Sequence, residues 1–595
     1  MKYPIIGIDL GTCFTCVYGF RNDQYVNIPG ERGNTIPSVV QYNRNGVVCG
    51  RTAKESIRNN SANTIYDVKR FLGLSYQECE GIIQMEKYGF NCIPYGQSLV
   101  YEISYDNTTL FKTPEMVDAD FLRYLVERAS QYLECEIVGA VITVPAFFQY
   151  TQIAATLEAA RQANLHVFRI IYEPSAAAIA SNVALGAESK TILVYDLGGG
   201  TFDVAVIKAA LYNYQVIGNN GHPFLGGRDF DAAVFDIMKE QLASYGIDVL
   251  TWDRNRLAGL RSYAEEVKIE LSRSNAYEVD LTEYVGDVLV DGDDAQFYIT
   301  RKKFEKRIRG RIEETIAICK STLQSLHITL GSSDSILLVG GSSRIPLVRE
   351  MLKEAFGDII VANNNPNEDV AKGACMTALD DYCKSLVPPI QNPCPPPTIH
   401  TFVVRPVAVR FGNGPYISVL PAGTLCDTKI EKVGGHFVLG TTVHVYSKEI
   451  PRPGIADEWK RVASFSVNGF HGQAYIRMSM DRMGILHYEI GRVGHEPDCR
   501  DSVKIGERDP KVIQLFDRRL VNIQNGVALL KNDRQCVEQS NTRVKEQLLQ
   551  YLDRALAYLG KEDALRVPEE QITEYVQKNH TLTLPYINAY HSRVC

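Results

Sequence analysis

Two stretches of the chain place an aspartate, glycines and a threonine between apolar segments, in an order that suits phosphate. They are residues 5–18 and residues 190–207. In each stretch an apolar strand ends at an Asp, a glycine-containing turn follows, and a second apolar strand leads away. Glycines let the main chain approach an anion closely, so that several N–H groups converge on it. The sequence therefore predicts two β-hairpins whose turns bind phosphate.

The second hairpin carries the fuller set of chemical groups. Asp196 at the end of its first strand can hold Mg²⁺ through water, and the Thr201 hydroxyl can reach a phosphate oxygen. The first hairpin repeats the same order of residue types around Asp9. Such a repeat predicts a duplicated core that grips one nucleotide from two sides.

A third glycine turn, residues 340–344, follows an apolar strand and precedes a helical pattern. A turn of this kind is weak evidence alone, because many strand-to-helix connections contain Gly and Ser. Beside two phosphate hairpins it becomes the natural place for the nucleoside, against a helix N-terminus.

The bulk properties are those of a globular chain of two to four domains. The chain has 595 residues and a formal net charge of −7, which argues against a protein whose main role is coating nucleic acid. Its 14 cysteines lack paired spacing and predict free thiols in a reducing compartment. Apolar runs are too short to span a bilayer, so we expect a cytoplasmic protein.

The pattern of elements predicts four segments. Residues 1–385 alternate strands with amphipathic helices, which is typical of α/β folds. Residues 386–400 are proline-dense and predict an extended linker. Residues 401–500 read as alternating strands, which predicts a β-sandwich. Residues 501–595 turn helical, with an apolar stripe at Leu548, Leu552, Ala555 and Leu559 that predicts a packing face.

Several motifs together resemble the 70-kilodalton heat-shock protein family. They span the whole first segment in the family's order, and they lie at residues 7–12, 66–73, 144–148, 172–178, 196–201, 225–231 and 340–344. The resemblance implies an actin-like ATPase domain of the duplicated, ribonuclease-H-like kind, followed by a β-sandwich substrate-binding-like domain and a helical, lid-like or docking segment. It also implies ATP or ADP with Mg²⁺ as ligands.

The resemblance assigns roles to individual residues. Lys69 would be the catalytic lysine that orients the attacking water, with Glu173, Asp196 and Thr201 as the other catalytic groups. Asp9 and Asp196 would hold hydrated Mg²⁺. The remaining nucleotide contacts would come from Gly11, Thr12, Cys13, Phe14, Gly198, Gly199, Gly200, Gly227, Glu265, Lys268, Ser272, Gly341, Ser342 and Arg344.

Four departures from the family pattern bear on function. Cys13 stands where the family has a second Thr, and Ile269 replaces a basic residue that stacks on adenine. Ile153 replaces an arginine that relays nucleotide state, and prolines replace the acidic, leucine-rich linker. These changes predict weaker nucleotide binding and put the coupling between domains in doubt.

A preserved nucleotidase with a diverged C-terminal half is similar to the heat-shock protein homologues that closteroviruses of plants encode. The closest stretches are residues 225–229, 339–343 and 419–423. That resemblance implies an ATPase that joins the virion tail and supports cell-to-cell movement through plasmodesmata, with other virion or movement proteins and peptide segments as partners. No sequence-specific contact with nucleic acid is expected. A cellular chaperone, a small-molecule kinase on the same fold, and a structural virion protein with a relic site remain the alternatives.

Overall fold

The computed structural model describes most of the first 400 residues and parts of the remainder. The described residues are 2–95, 98–105, 108–181, 189–210, 213–285, 296–361, 365–400, 406–411, 415–421, 424, 426, 428–436, 441–448, 459–467, 473–481, 485–492, 497–504, 529–531, 533–535, 537–538, 545–559 and 574–582. Parts of the predicted motif at 419–423 and of the segment 501–595 lie outside these ranges.

The first 400 residues contain strands β1 to β20. In chain order they are Tyr3–Asp9, Phe14–Arg21, Gln24–Asn27, Ile36–Pro37, Val39–Asn43, Gly46–Cys49, Thr64–Tyr66, Asn91–Tyr95, Ser98–Tyr105, Thr108–Lys112, Gly139–Val144, Val167–Tyr172, Lys190–Leu197, Phe202–Ala210, Asn213–His222, Ala276–Asp280, Gln296–Thr300, Ser335–Val339, Ile360–Val361 and Thr398–His400.

Helices α1 to α12 alternate with these strands. They are Arg51–Glu55, Ile57–Asn60, Tyr76–Glu86, Pro114–Leu133, Tyr150–Gln162, Glu173–Ser181, Gly227–Ser244, Arg254–Leu271, Thr282–Val285, Arg301–Ser325, Pro346–Phe356 and Asp369–Ser385. Local sequence explains several of their starts: Thr113 caps α4 with Pro114 at its first position, and Ser75 and Glu78 form a capping box at α3. None of the helices in the described part of the chain combines the length and apolar character needed to cross a bilayer.

Two large sheets repeat the same arrangement of strands. The first has the order β12-β11-β1-β2-β3, and the second has the order β19-β18-β13-β14-β15-β20. In both, a hairpin of two long antiparallel strands is followed on one side by two parallel strands: β11 and β12 beside β1, and β18 and β19 beside β13. The predicted α/β character and the predicted duplication are both seen in this strand order.

Helices α6 and α12 pack between the two sheets. Their small side chains join residues of both sheets in one hydrophobic cluster. A Cβ atom on Gly373 of α12 would lie 1.9 Å from the Ala176 carbonyl oxygen of α6, and one on Gly7 of β1 would lie 2.0 Å from the Cys375 nitrogen of α12. Glycine is required at both positions because the backbones touch, and this close packing fixes the two halves around one cleft.

The strands beyond residue 400 form two four-stranded antiparallel sheets. Strands β21 to β28 are Val407–Phe411, Ile417–Leu420, Ile430–His436, Thr441–Lys448, Trp459–Val467, Gln473–Met480, Ile485–Arg492 and Pro497–Lys504. One sheet has the order β22-β21-β24-β25 and the other has the order β23-β26-β27-β28. Apolar residues of both sheets share one buried cluster, which also includes Tyr150 of α5.

Two further segments contact the α/β part of the chain. Strand β20 lies within the predicted linker and pairs in parallel with β15, with Thr398 opposite Asn213. Helix α13, Lys545–Leu559, carries Leu552 and Ala555 into a buried cluster with Val100 and Phe111 of the small sheet β8-β9-β10. The predicted apolar stripe of this helix therefore contributes to a packing face.

Candidate functional site

The two glycine turns predicted to bind phosphate lie against each other at the base of the cleft. A Cβ atom on Gly199 would lie 2.5 Å from Cys13 Sγ, and one on Gly200 would lie 2.8 Å from Thr12 Cγ2. A Cβ atom on Gly226 would lie 2.8 Å from the backbone of Gly200. Glycine at these positions allows this approach, so the two turns lie in direct contact.

Hydrogen bonds hold the second turn to its neighbours. The Gly198 nitrogen donates to the Thr201 carbonyl at 3.0 Å, and the Gly198 carbonyl accepts from the Gly227 nitrogen at 2.9 Å. The Ser342 hydroxyl donates to the same Gly198 carbonyl at 2.9 Å. The third glycine turn is thereby joined to the second, as its predicted place beside the phosphate hairpins requires.

Hydrogen bonds also hold the first turn in place. The Gly11 nitrogen donates to the Asp9 carbonyl at 3.1 Å, and the Gly11 carbonyl accepts from the Ser38 hydroxyl at 2.7 Å. The Phe14 ring lies 4.8 Å from Lys54 Nζ. Burial raises the pKa of the Cys13 thiol to about 12, so this side chain stays protonated beside the turn.

Three carboxyl groups lie near the ends of the hairpin strands, where Asp196 and Asp203 are buried and Asp9 is half-buried. Asp9 closes β1, and Asp196 of β13 pairs across the hairpin with Asp203 of β14. Burial raises the pKa of all three, and the nearby Glu173 carboxylate raises it further. For Asp9 the pKa reaches about 7, although Lys69 acts to lower it. Such a cluster is short of positive charge and would be stabilised by a cation.

Lys69 lies beside this cluster on a short turn, Val68–Arg70, that follows Asp67 in the left-handed region at φ 60°. Its Nζ is 2.5 Å from Oε1 of Glu173, the first residue of α6, and 5.8 Å from the centroid of the Phe148 ring. Burial alone would lower the Lys69 pKa, but Glu173 and Asp9 raise it above its ordinary value. The ammonium group therefore stays charged inside the cleft.

A second buried ion network lies at the side predicted to meet the nucleoside. Lys54 Nζ of α1 is 2.6 Å from Glu265 of α8, and Lys268 Nζ of α8 is 2.7 Å from Asp231 of α7. Burial would raise the Glu265 pKa, but Lys54, Arg228 and Lys268 together lower it to about 2. Because α1 follows the first hairpin and α8 the second, the Lys54–Glu265 pair bridges the two halves of the domain.

The other residues predicted to contact the nucleoside lie outside this ion network. The Ser272 hydroxyl donates to the Lys268 carbonyl of its own helix at 3.0 Å. Gly341 and Arg344 belong to the short turn Gly341–Arg344, and both are exposed. Arg344 is therefore open to solvent at the rim, whereas Glu265 and Lys268 are buried.

Sequence reasoning missed four residues of these networks. Asp203 could have been found, because pairing Leu197 with Phe202 in the predicted hairpin places residues 196 and 203 opposite each other. Arg228 and Asp231 lie in the family motif at 225–231, but nothing in the sequence showed that they pair with Asp67 and Lys268, and Lys54 gave no signal of its own. Arg228 donates to Asp67 at 2.8 Å across 161 residues.

The residues suit a hydrated divalent ion. Among the described residues, no three His, Cys, Asp or Glu side chains group closely enough to hold a metal ion. Mg²⁺ keeps several of its waters and is usually held by one or two carboxylates together with substrate phosphates. Asp9 and Asp196, with their raised pKa values and the adjacent glycine turns, suit that arrangement.

The two sheets have the same strand order and are joined by α6 and α12. Glycine turns and carboxylates from both halves lie together in the cleft. This arrangement defines a duplicated α/β domain of the actin-like class. A family model described as Hsp70 protein matches residues 5–379. The chain belongs to the Hsp70 family. Members of this family are ATP-binding chaperones that hydrolyse ATP with Mg²⁺ and bind peptides, and membership supports an ATP-binding, chaperone-like function here.

Proposed function

We propose that this chain binds ATP between its two glycine turns and hydrolyses it to ADP and phosphate. The observation that carries the proposal is the buried Lys69–Glu173 pair at 2.5 Å beside three carboxyl groups with raised pKa. A buried charged lysine is costly unless it is paired, and here Glu173 provides the pairing. Transfer of the γ-phosphoryl group to water needs this kind of preorganised charge.

We assign the catalytic roles from the positions of these residues in the cleft. The Lys69 ammonium orients the attacking water and offsets charge that develops on the γ-phosphoryl group. Glu173 holds Lys69 in place and accepts a hydrogen bond from the water. The hydroxyls of Thr12 and Thr201, with the N–H groups of the two turns, hold the phosphate oxygens.

Mg²⁺, held through water by Asp9 and Asp196, would neutralise phosphate charge when bound. The adenosine would lie against α8, where Glu265 and Lys268 are buried, under the turn that contains Ser342. In this proposal the Lys54–Glu265 pair closes the cleft over the nucleoside.

Phosphate release by the purified full chain with ATP and Mg²⁺ tests the proposal. Asp196→Asn removes one carboxylate from the cluster, and we expect hydrolysis to fall on the order of 100-fold. Asp358→Asn is the matched control, because this aspartate is 80% exposed and pairs only at the surface with Lys353. A wild-type chain that releases no phosphate, or equal loss in both variants, would contradict the proposal.

For the rest of the chain we propose the division predicted from sequence: an ATPase domain over 1–385, a linker over 386–400, a β-sandwich over 401–500 and a helical segment over 501–595. The two sheets that share a buried cluster support the β-sandwich, and the packing of α13 on the small sheet supports a docking role for the helical segment.

We also propose that the chain is a viral homologue acting in virion tail assembly and cell-to-cell movement, in host cytoplasm, virion tails and plasmodesmata. Ile153, which stands where the family has a charged relay, is buried in the core of the first domain. It lies on α5, whose Tyr150 packs against the C-terminal sheets. An apolar side chain in place of the family's arginine, on the helix that carries this contact, favours a chain whose domains no longer exchange peptide and nucleotide signals.

Peptide stimulation separates this proposal from its alternative, a cellular peptide-binding chaperone. We expect an extended apolar peptide and a J-domain protein to leave the ATPase rate unchanged. Ile153→Arg, which restores the family's charge, provides the comparison. A several-fold stimulation of the unmodified chain would favour the cellular chaperone.

A further inference from the structure

The first three turns of α10 concentrate positive charge. Residues 301–311 contain seven Lys or Arg residues and one acid, Glu305. Between residues 302 and 311 every exposed side chain is cationic, and these side chains belong to Lys302, Lys303, Lys306, Arg307, Arg309 and Arg311. A chain of net charge −7 thus gathers positive charge on one surface of a single helix.

The core of the domain fixes the direction in which this surface points. Phe304, Ile308 and Ile312 recur at four-residue spacing and are buried in the cluster that includes residues of the second large sheet. The Thr300 hydroxyl caps the helix by accepting a hydrogen bond from the Lys303 nitrogen at 3.2 Å. The cations therefore lie on the side of α10 that faces away from the core.

The positive charge is placed against the local preference of a helix. The first turn of α10 contains no acid, and Arg301, Lys302 and Lys303 meet the positive end of the helix dipole there. Lys302 and Lys306 also stand four residues apart, where like charges repel. Both arrangements destabilise an isolated helix, and local rules are broken in this way at functional surfaces.

Acids on neighbouring positions neutralise part of this charge. Arg307 pairs at 2.6 Å with Glu240 of α7, and Arg311 pairs at 3.4 Å with Glu314 of its own helix. Arg307, followed by Lys303, lowers the pKa of Glu240. These contacts satisfy the cations on the side of α10 that faces α7.

The remaining cations are not compensated in this way. Lys302 and Lys306 have no partner among the residues that the structure describes. Burial raises the pKa of Glu305, and Arg301 and Arg309 lower it only in part. This one acid is therefore shared between two cations.

Further acids lie around α10 without reaching Lys302 or Lys306 within the described ranges. Glu350 of α11 lies near Glu305, and Glu278 of β16 is hydrogen-bonded to Tyr298. Four aspartates between 287 and 294 lie outside the described residues. They precede the whole of β17, which extends for about 16 Å, so this strand separates them from α10 along the chain.

We propose that the basic face of α10, made of Lys302, Lys303, Lys306 and Arg309, binds the phosphate backbone of duplex nucleic acid without sequence preference. Residues 302–309 extend for about 10.5 Å along the helix axis. A duplex carries one negative charge per ~1.7 Å of its axis, so the face meets about six phosphates. The inference is independent of ATP hydrolysis.

The composition of the face favours a duplex over other polyanions. An acidic helix presents about one carboxylate per ~5.4 Å turn on one side, which is too few for four cations. A single strand gains affinity from stacking its bases on aromatic rings, and none of the exposed side chains between 302 and 311 is aromatic. None of them is apolar either, so this stretch offers no anchor for a membrane surface.

Fluorescence anisotropy of a labelled DNA duplex of about 20 base pairs, titrated with the full chain, tests the proposal. With about four phosphates neutralised, affinity should fall about 150-fold between 50 and 200 mM salt. Two duplexes of unrelated sequence should bind within about threefold of each other, because phosphate contacts carry no sequence information. A single strand of the same length should bind more weakly than either duplex.

Variants of one helix locate the binding face. Lys306→Gln removes one cation and keeps a good helix former. It should weaken binding about tenfold at 50 mM salt and reduce the loss over the same salt range to about 40-fold. Lys306→Arg keeps the charge and should bind like the unmodified chain. Lys320→Gln is the matched control, because Lys320 is exposed on the same helix about 21 Å further along its axis. Binding should be unchanged in this variant, and thermal melting confirms that each variant is folded.

The proposal is overturned if the duplex does not bind at 50 mM salt, or if Lys320→Gln loses as much affinity as Lys306→Gln. Binding to vesicles of an anionic phospholipid or to an acidic helical peptide, with no binding to the duplex, would assign the face to that partner instead. A variant with Asp287→Asn, Asp291→Asn, Asp293→Asn and Asp294→Asn tests the chain's own acids. Duplex binding that is found only in this variant would show that these aspartates occupy the face, and it would equally overturn the proposal.

Discussion

Asp118 allows a sharp test of the buried electrostatics around Lys69. This residue lies on α4, is 6% exposed, and among the described residues its Oδ2 has no hydrogen-bond partner. Burial raises its pKa from 3.8 to about 7, and the nearby Lys69 lowers it only in part. A carboxyl group held in this way opposes folding once it would ionise in the unfolded chain.

The sign and size follow from the two pKa values. Between pH 4 and pH 7 the folded chain keeps the Asp118 proton while the unfolded chain loses it, so stability falls as pH rises through this window. The slope is about 1.4 kcal/mol per pH unit, and the total is at most about 4 kcal/mol above pH 7. Asp118→Asn removes this loss, so its advantage should grow from about 2 kcal/mol at pH 5 to about 4 kcal/mol at pH 7.5.

Urea unfolding of both proteins at these two pH values measures the difference, and at pH 7.5 the variant's midpoint should rise by roughly 1 M. Asp120→Asn on the same helix is the control of opposite sign. The Asp120 carboxylate accepts hydrogen bonds from Tyr42 at 2.8 Å and Lys112 at 2.9 Å. Burial would raise its pKa, but Lys112, Tyr42 and Arg123 together outweigh burial and lower it. The Asn variant should therefore be less stable at both pH values.

The account of Asp118 is refuted if its variant and the wild type lose stability in parallel as pH rises. It is equally refuted if the stabilities of the Asp118 and Asp120 variants change in the same direction at pH 7.5. The change would then follow from the loss of either carboxylate on α4, whatever the pKa of that group.

Two further predictions concern the cleft itself. Gly200→Ala brings a Cβ atom to 2.8 Å from Thr12 Cγ2 and should lower ATP affinity about tenfold or more in calorimetric titrations. Gly310→Ala on α10, where a Cβ atom would meet nothing within 4 Å, should bind normally. Equal affinities in the two variants would contradict the proposed phosphate cradle. Lys54→Met breaks the pair with Glu265 that bridges the two halves, and ADP release in stopped-flow measurements should become about tenfold faster, whereas an unchanged release rate would show that the pair does not close the cleft.

The phosphate turns could be predicted from sequence because their information is local. Asp9 and Asp196 end apolar strands and precede glycines, so each hairpin can be recognised without the rest of the fold. Lys69 had to come from the family resemblance, because its short turn follows a left-handed Asp67 and its partner Glu173 lies 104 residues away.

The buried ion network was beyond sequence reasoning for a related reason. Lys54 and Glu265 are separated by 211 residues, and only the packing of two domain halves brings them together. The outer face of the sheet β22-β21-β24-β25 is another such case. The alternation of apolar and polar residues is visible in the sequence of β24. The stack of Tyr416 on Trp459, however, depends on the order of the strands in the sheet.

The most direct test of the central claim is single-turnover hydrolysis of ATP by the wild type and by Lys69→Ala, each saturated with ATP and Mg²⁺. If Lys69 orients the attacking water, the variant should bind ATP within about threefold of the wild type and hydrolyse it on the order of 100-fold more slowly. Lys353→Ala, an exposed lysine on α11, should behave like the wild type. Equal hydrolysis rates in the wild type and the Lys69 variant would contradict the claim.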